Sequence, residues 1–153
     1  MPVRVYECNR SEVEALKKVL NYDPYLDTNL IPSSKKDDRP IESLTEEERR
    51  QIEEKEKQIS ETQRKIAESP AGKVIFTRQE YQLKDGENLN LKKDTVYLYL
   101  SAPDVFLDNA EDRFKNEFKT IKRASKEEEE TVITAIKQEE ENANAGFGSI
   151  FGN

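Results

Sequence analysis

The chain has 153 residues, no histidine and a single cysteine, Cys8. Histidine is the one side chain that ordinarily titrates near neutrality. Its absence removes Ser-His-Asp and Cys-His nucleophile pairs, HExxH zinc sites and the common proton shuttles. Cys8 follows a strand-like segment, close to where a helix N-terminus would stabilise a thiolate. With no second cysteine or histidine to work with, it reads as an ordinary half-buried thiol. It also lacks a partner for an internal disulfide, which fits a reducing, cytoplasmic compartment. Gly72 and Gly86 stand alone, and the other three glycines follow a helical pattern rather than a strand, so no phosphate-cradling loop can be placed. The acidic runs 127–130 and 139–141 lack the Asp/Asn-Gly spacing of a calcium loop and read as solvated helix faces. Among 32 acids no carboxylate pair is set apart. The expectation is a chain that is not an enzyme and uses no cofactor and no metal.

Aromatic stacking is the chemistry that remains. Val3-Arg4-Val5-Tyr6-Glu7 and Thr95-Val96-Tyr97-Leu98-Tyr99-Leu100 both alternate with the period of a strand. Grouping the aliphatic positions on one face leaves Tyr6, Tyr97 and Tyr99 on the other, beside Arg4. If these strands are central neighbours, the tyrosines meet on an open sheet face, where RNA-recognition modules stack bases. Lys92, Lys93, Lys119, Lys122 and Arg123 would supply phosphate contacts around it. Yet the segment from Asp94 lacks the Lys/Arg-Gly opening of that family's third-strand signature, and tyrosine favours strands for its own reasons. Cover by a terminal helix, an insertion or a second subunit is the simpler expectation for this face. RNA binding is therefore the alternative reading.

The elements that must position these residues follow from pattern and caps. Ser11-Glu12-Val13-Glu14 is a capping box, and Val13, Leu16 and Leu20 lie on one face of the helix it opens. Residues 22–42 form a Pro/Ser/Asp-rich loop. Ser43-Leu44-Thr45-Glu46 opens a long charged helix to about Ser69-Pro70. Its apolar positions Ile52, Ile59 and Ile66 are seven apart, one per heptad where a stable coiled coil uses two. A strand is expected from Lys73 to Leu83, ended by Asp85-Gly86, and another over Thr95–Leu100. Ser101-Ala102-Pro103 starts a helix with Phe106, Ala110 and Phe114 on one face, and Phe118–Lys122 reads as a short last strand. A third capping box, Ser125-Lys126-Glu127-Glu128, opens a helix to about Asn142, with Val132, Ile133 and Ile136 apolar.

This order predicts an α+β chain, a ferredoxin-like (βαββαβ) plait with a long charged helical insertion and a C-terminal helix plus apolar tail. Residues 1–124 form the domain, the insertion spans about 23–72, and 125–153 carry the acidic helix and the Gly/Phe tail. The charge divides accordingly. Of the net −7, residues 42–69 carry −3 and residues 125–153 carry −5, leaving the rest near neutral. A pI of 4.9 argues against duplex DNA, and no apolar run is long enough for a membrane span. The opening residues do not read as a secretory signal.

The carboxyl end is the unusual feature. Only 34% of the chain is hydrophobic and its mean hydropathy is −0.95, yet Phe147, Ile150 and Phe151 lie among three glycines within the last eight residues. Each such side chain is worth about 1.5–3 kcal/mol when enclosed, so the tail is expected to be buried, either as a docking peptide on a partner or folded back onto the domain's own sheet or helices. The reading is a non-catalytic interaction module, an accessory subunit or assembly factor of a larger complex. Protein partners would meet Phe147, Ile150 and Phe151 at the tail and Ile52, Ile59 and Ile66 on the charged helix.

Overall fold

The computed structural model describes residues 1–31 and 41–151, with residues 41 and 146–151 described by backbone alone. The chain divides into two compact units, Met1–Asn21 with Phe76–Asn153, and Tyr22–Ile75. It is a mixed α+β protein with a four-stranded antiparallel sheet and, among the described residues, five α-helices.

The sheet belongs to the first unit. Its strands are β1 (Val3–Asn9), β2 (Glu80–Asp85), β3 (Thr95–Ser101) and β4 (Lys122–Arg123), ordered β2-β3-β1-β4. β1 and β3 therefore sit in the centre, paired along their full length from Val3 opposite Ser101 to Asn9 opposite Thr95. Side chains directly opposite share a face. Tyr6 lies opposite Leu98, and Glu7 opposite Tyr97. One face thus carries Arg4, Tyr6, Leu98 and Leu100, and the other carries Val5, Glu7, Tyr97 and Tyr99. This corrects the expected grouping: Tyr6 does not share a face with Tyr97 and Tyr99.

Helices cover both faces. α4 (Asp104–Glu117) packs on the Tyr6 face, where the Phe114 ring meets Tyr6 edge-on at 5.3 Å. Phe76 stacks on the same Phe114 at 5.6 Å. α1 (Val13–Asn21) buries Val13, Leu16 and Leu20, and its last residue accepts a hydrogen bond from the Tyr81 hydroxyl of β2. On the opposite face lies α5 (Lys126–Phe151), whose Val132 and Ile136 pack with Val5, Tyr97 and Ala124. The predicted box at its start is present: Ser125 Oγ accepts from Glu128 N–H at 3.2 Å, and Glu128 Oε1 accepts from Ser125 N–H.

Three local expectations are corrected. Val74, Ile75 and Phe76 are buried but unpaired, and the strand begins only at Glu80. β4 is two residues long; Phe118 and Ile121, expected within it, are buried in irregular chain before it. α5 continues as helix through Phe151 instead of ending near Asn142.

In the second unit, α2 (Glu46–Glu68) is capped by Thr45, which accepts from Glu48 N–H at 3.2 Å. Acids fill its first turn and Lys65 its last, as the helix dipole favours. Ser69 ends α2 and caps α3 (Pro70–Lys73) through Gly72 N–H. Gly72 is required there, because a Cβ would fall 1.8 Å from the Ile66 carbonyl oxygen. The expectations placed on residues 32–40 lie outside the described residues.

Candidate functional site

The face carrying Tyr97 and Tyr99 is the candidate site, and what α5 does to it decides its chemistry. Tyr97 is fully enclosed, and its hydroxyl donates to Glu128 Oε2 of α5. Burial, then the neighbouring carboxylate, push the phenol well above its usual range, so it stays protonated. Burial alone would raise Glu128 too, but hydrogen bonds from Tyr97 and Ser125 and the charge of Lys92 hold it below the ordinary carboxylate value. Lys92 Nζ lies 3.1 Å from Glu7 and 3.8 Å from Glu128, tying the loop before β3 to both β1 and α5. Further ties are Val5 N–H to Glu129 at 3.1 Å and Lys84 Nζ to Glu139 at 2.5 Å. Glu128 and Glu129 are therefore partners of the sheet, not parts of a wholly solvated acidic run.

The tyrosines cannot act together on a base. Tyr6 is 2% exposed and Tyr97 is 0% exposed, on opposite faces. The Tyr6 hydroxyl donates to Glu111 Oε1 at 2.9 Å, an oxygen that also takes Arg4 Nη1 at 2.8 Å. Burial and that carboxylate raise the Tyr6 phenol as well. Arg4 is further engaged by Asp108 at 3.0 Å and Asp104 at 3.7 Å. It acts as a clamp between β1 and α4 and is not available to a phosphate. Only Tyr99 keeps partial exposure. The stacking platform expected from Tyr6, Tyr97 and Tyr99 is thus not assembled.

Cys8 is fully buried, and its thiol, pushed up to about 11 by burial and then by Glu12, is not a nucleophile near neutral pH. Among the described residues, no group of three acidic or thiol side chains is placed to hold a metal ion.

The expected partner-binding residues fare unequally. Ile52 and Ile59 are half-buried along α2, whereas Ile66 is 6% exposed, with its Cγ2 directly under the Gly72 backbone. This corrects its place in the seam: the turn into α3 already covers it. The side chains of Phe147, Ile150 and Phe151 lie outside the described residues, although their backbone continues α5. Sequence reasoning missed the carboxylate ladder on α5. The signal for it was present in the Ser125/Glu128 box, which places Glu128 in the first turn beside the sheet.

Among the described residues, no helix is long and apolar enough to cross a membrane. No protein-family model, no curated protein and no solved structure matches this chain.

Proposed function

We propose that this chain is a non-catalytic protein–protein interaction module, an accessory subunit or assembly factor of a larger cytoplasmic complex, docking through its C-terminal helix and its long charged helix. One observation carries this reading. α5 is pinned to the sheet by Val132, Ile136 and its carboxylates, then runs on as helix to Phe151, and every described side chain from Lys137 to Ala145 is exposed. In that continued helix Phe147, Ile150 and Phe151 are spaced i, i+3, i+4, the spacing of anchors on an amphipathic helix laid into a groove. The last fifteen residues of α5, from Lys137, extend over about 22 Å at helical rise. Along α2, Ile52 and Ile59 supply a second, narrower contact.

The ferredoxin-like plait belongs to the same proposal. It is supported by the central antiparallel pair β1–β3 and by the helices α1 and α4 that follow those two strands. An experimental structure that separated β1 from β3 would end it. For the function, the full chain and a Phe147→Ala/Ile150→Ala/Phe151→Ala variant are each used as bait in the native cell. The expected result is a stoichiometric partner held by the first and lost by the second, with both baits unfolding at the same temperature. Equal recovery of that partner by both baits would overturn the docking role. Titration with single-stranded RNA is expected to show no saturable binding, since Tyr6 and Tyr97 are enclosed.

A further inference from the structure

The sheet ends on one side at β4 and on the other at β2. β4 exposes two residues, both basic, and so guards its own edge. β2 is six residues long, contains no proline, and pairs with β3 in unbroken register from Glu80 opposite Ser101 to Asp85 opposite Val96. The Gly86 N–H donates to the Thr95 carbonyl at 2.8 Å, which fixes the direction of the backbone groups before it. Gln82 and Lys84 turn theirs toward β3, while Tyr81, Leu83 and Asp85 turn theirs outward. Among the described residues, these outward N–H and C=O groups have no hydrogen-bond partner. α5 packs on one face of the sheet and α4 on the other, so both faces are closed while this edge is not. Lysine commonly guards a strand edge, but Lys84 is 21% exposed and held by Glu139.

Any strand could bond to such an edge, and the side chains select which one does. In antiparallel addition outward residues must face outward residues, so only registers that pair Tyr81, Leu83 and Asp85 among themselves are open. Two copies centred on Lys84 would set two ammonium groups against each other. Centred on Leu83, they would set Lys84 opposite Gln82 and Glu80 opposite Gly86. Only centring on Gln82 brings opposite charges together, with Glu80 opposite Lys84 and Tyr81 opposite Leu83, each twice. Glu80 is exposed and has no ion pair among the described residues, and Lys84 commits one N–H of three to Glu139. We infer that β2 is the interface of an isologous dimer, in which a second copy of this chain adds its own β2 antiparallel about a two-fold axis at Gln82. The two sheets become one, and Glu80 of each copy meets Lys84 of the other. The interface uses neither the far end of α5 nor α2, so it stands or falls separately from the docking reading.

The test is sedimentation velocity of the full chain at concentrations up to about 500 μM, where a reversible monomer–dimer equilibrium is expected. Glu80→Lys, at an exposed position, should weaken the dimer about tenfold by opposing like charges twice. Gln82→Cys should form a disulfide between copies on mild oxidation, because the Cα atoms of a directly opposite, non-hydrogen-bonded pair lie about 4.5 Å apart. Glu80→Cys should not, since its counterpart lies about 13 Å along the strand in this register. Cys8 is buried and takes no part in either cross-link. Phe147→Ala/Ile150→Ala/Phe151→Ala should dimerise like the parent chain. A monomer at every concentration, a dimer insensitive to Glu80→Lys, or equal cross-linking at positions 80 and 82 would overturn the interface. So would loss of the dimer in the tail variant, by assigning self-association to the end of α5.

Discussion

Tyr97→Phe removes one oxygen from the interior and leaves the ring in place. The ring is fully enclosed among Val5, Ala124, Val132 and Ile136, so its apolar contacts survive the substitution. What is lost is the hydrogen bond to Glu128, an ionised acceptor, and such bonds contribute about 1.5–3 kcal/mol. The Glu128 side chain is 13% exposed and keeps Lys92 and Ser125 as partners, which places the loss near the lower end, about 1.5–2 kcal/mol. For a chain of this length that corresponds to a fall of roughly 3–8 °C in Tm. The loss depends on pH in a fixed direction. Glu128 is held below its unfolded pKa of about 4.3, so its contribution is present above that value and disappears as pH falls through the folded value. Tyr97 itself stays protonated throughout and adds no pH dependence. Thermal unfolding followed by near-ultraviolet circular dichroism at pH 7 and pH 3 therefore separates the terms, with the half-buried Tyr99→Phe as control. A Tyr97→Phe deficit below about 0.5 kcal/mol at pH 7, or one equally large at pH 3, would refute the link between Tyr97 and Glu128.

Ile136→Ala, at a position 1% exposed, should cost about 2–5 kcal/mol in urea unfolding, against under about 0.5 kcal/mol for Val105→Ala at a position 74% exposed. Similar losses at both would show that α5 adds little to the core. Gly86→Ala should destabilise by about 1–3 kcal/mol, because the new Cβ would fall 2.4 Å from the Lys92 carbonyl and 2.9 Å from that of Thr95, both backbone atoms. Amide shifts over residues 92–97 report whether the loop moves, and an unchanged spectrum with unchanged stability would contradict the close approach.

Much of the local structure is legible in the residues, because caps and helical periodicity are short-range. Ser125 marks its helix through a hydrogen bond that spans three residues, whereas the cap expected at Ser43 falls two residues later, on Thr45. Val13, Leu16 and Leu20 are buried as their spacing requires. What resists is anything settled by pairing. Val74–Phe76 has the composition of a strand and is buried, but burial alone does not supply a neighbouring backbone, and the more polar Glu80–Asp85 runs beside β3 instead. The face assignment failed for a related reason. A sheet with one wet face separates its aliphatic from its polar positions, but here α4 and α5 cover both faces. Tyr6 is then as well enclosed beside Leu98 as Tyr97 is beside Val5, and hydropathy carries no parity signal. Only the register distinguishes them, and register is a property of two segments ninety residues apart.

α5 has one further consequence. The same rod that closes the sheet at Val132 and Ile136 also carries the residues at 147, 150 and 151. Any grip on its far turns is a grip on the keystone of the hydrophobic interior, since helical hydrogen bonding is continuous between them. Capture by another protein would then shield the domain from heat and proteases. Conversely, weakening the interior would loosen that embrace by the same free energy, two ends of one lever obeying reciprocal linkage.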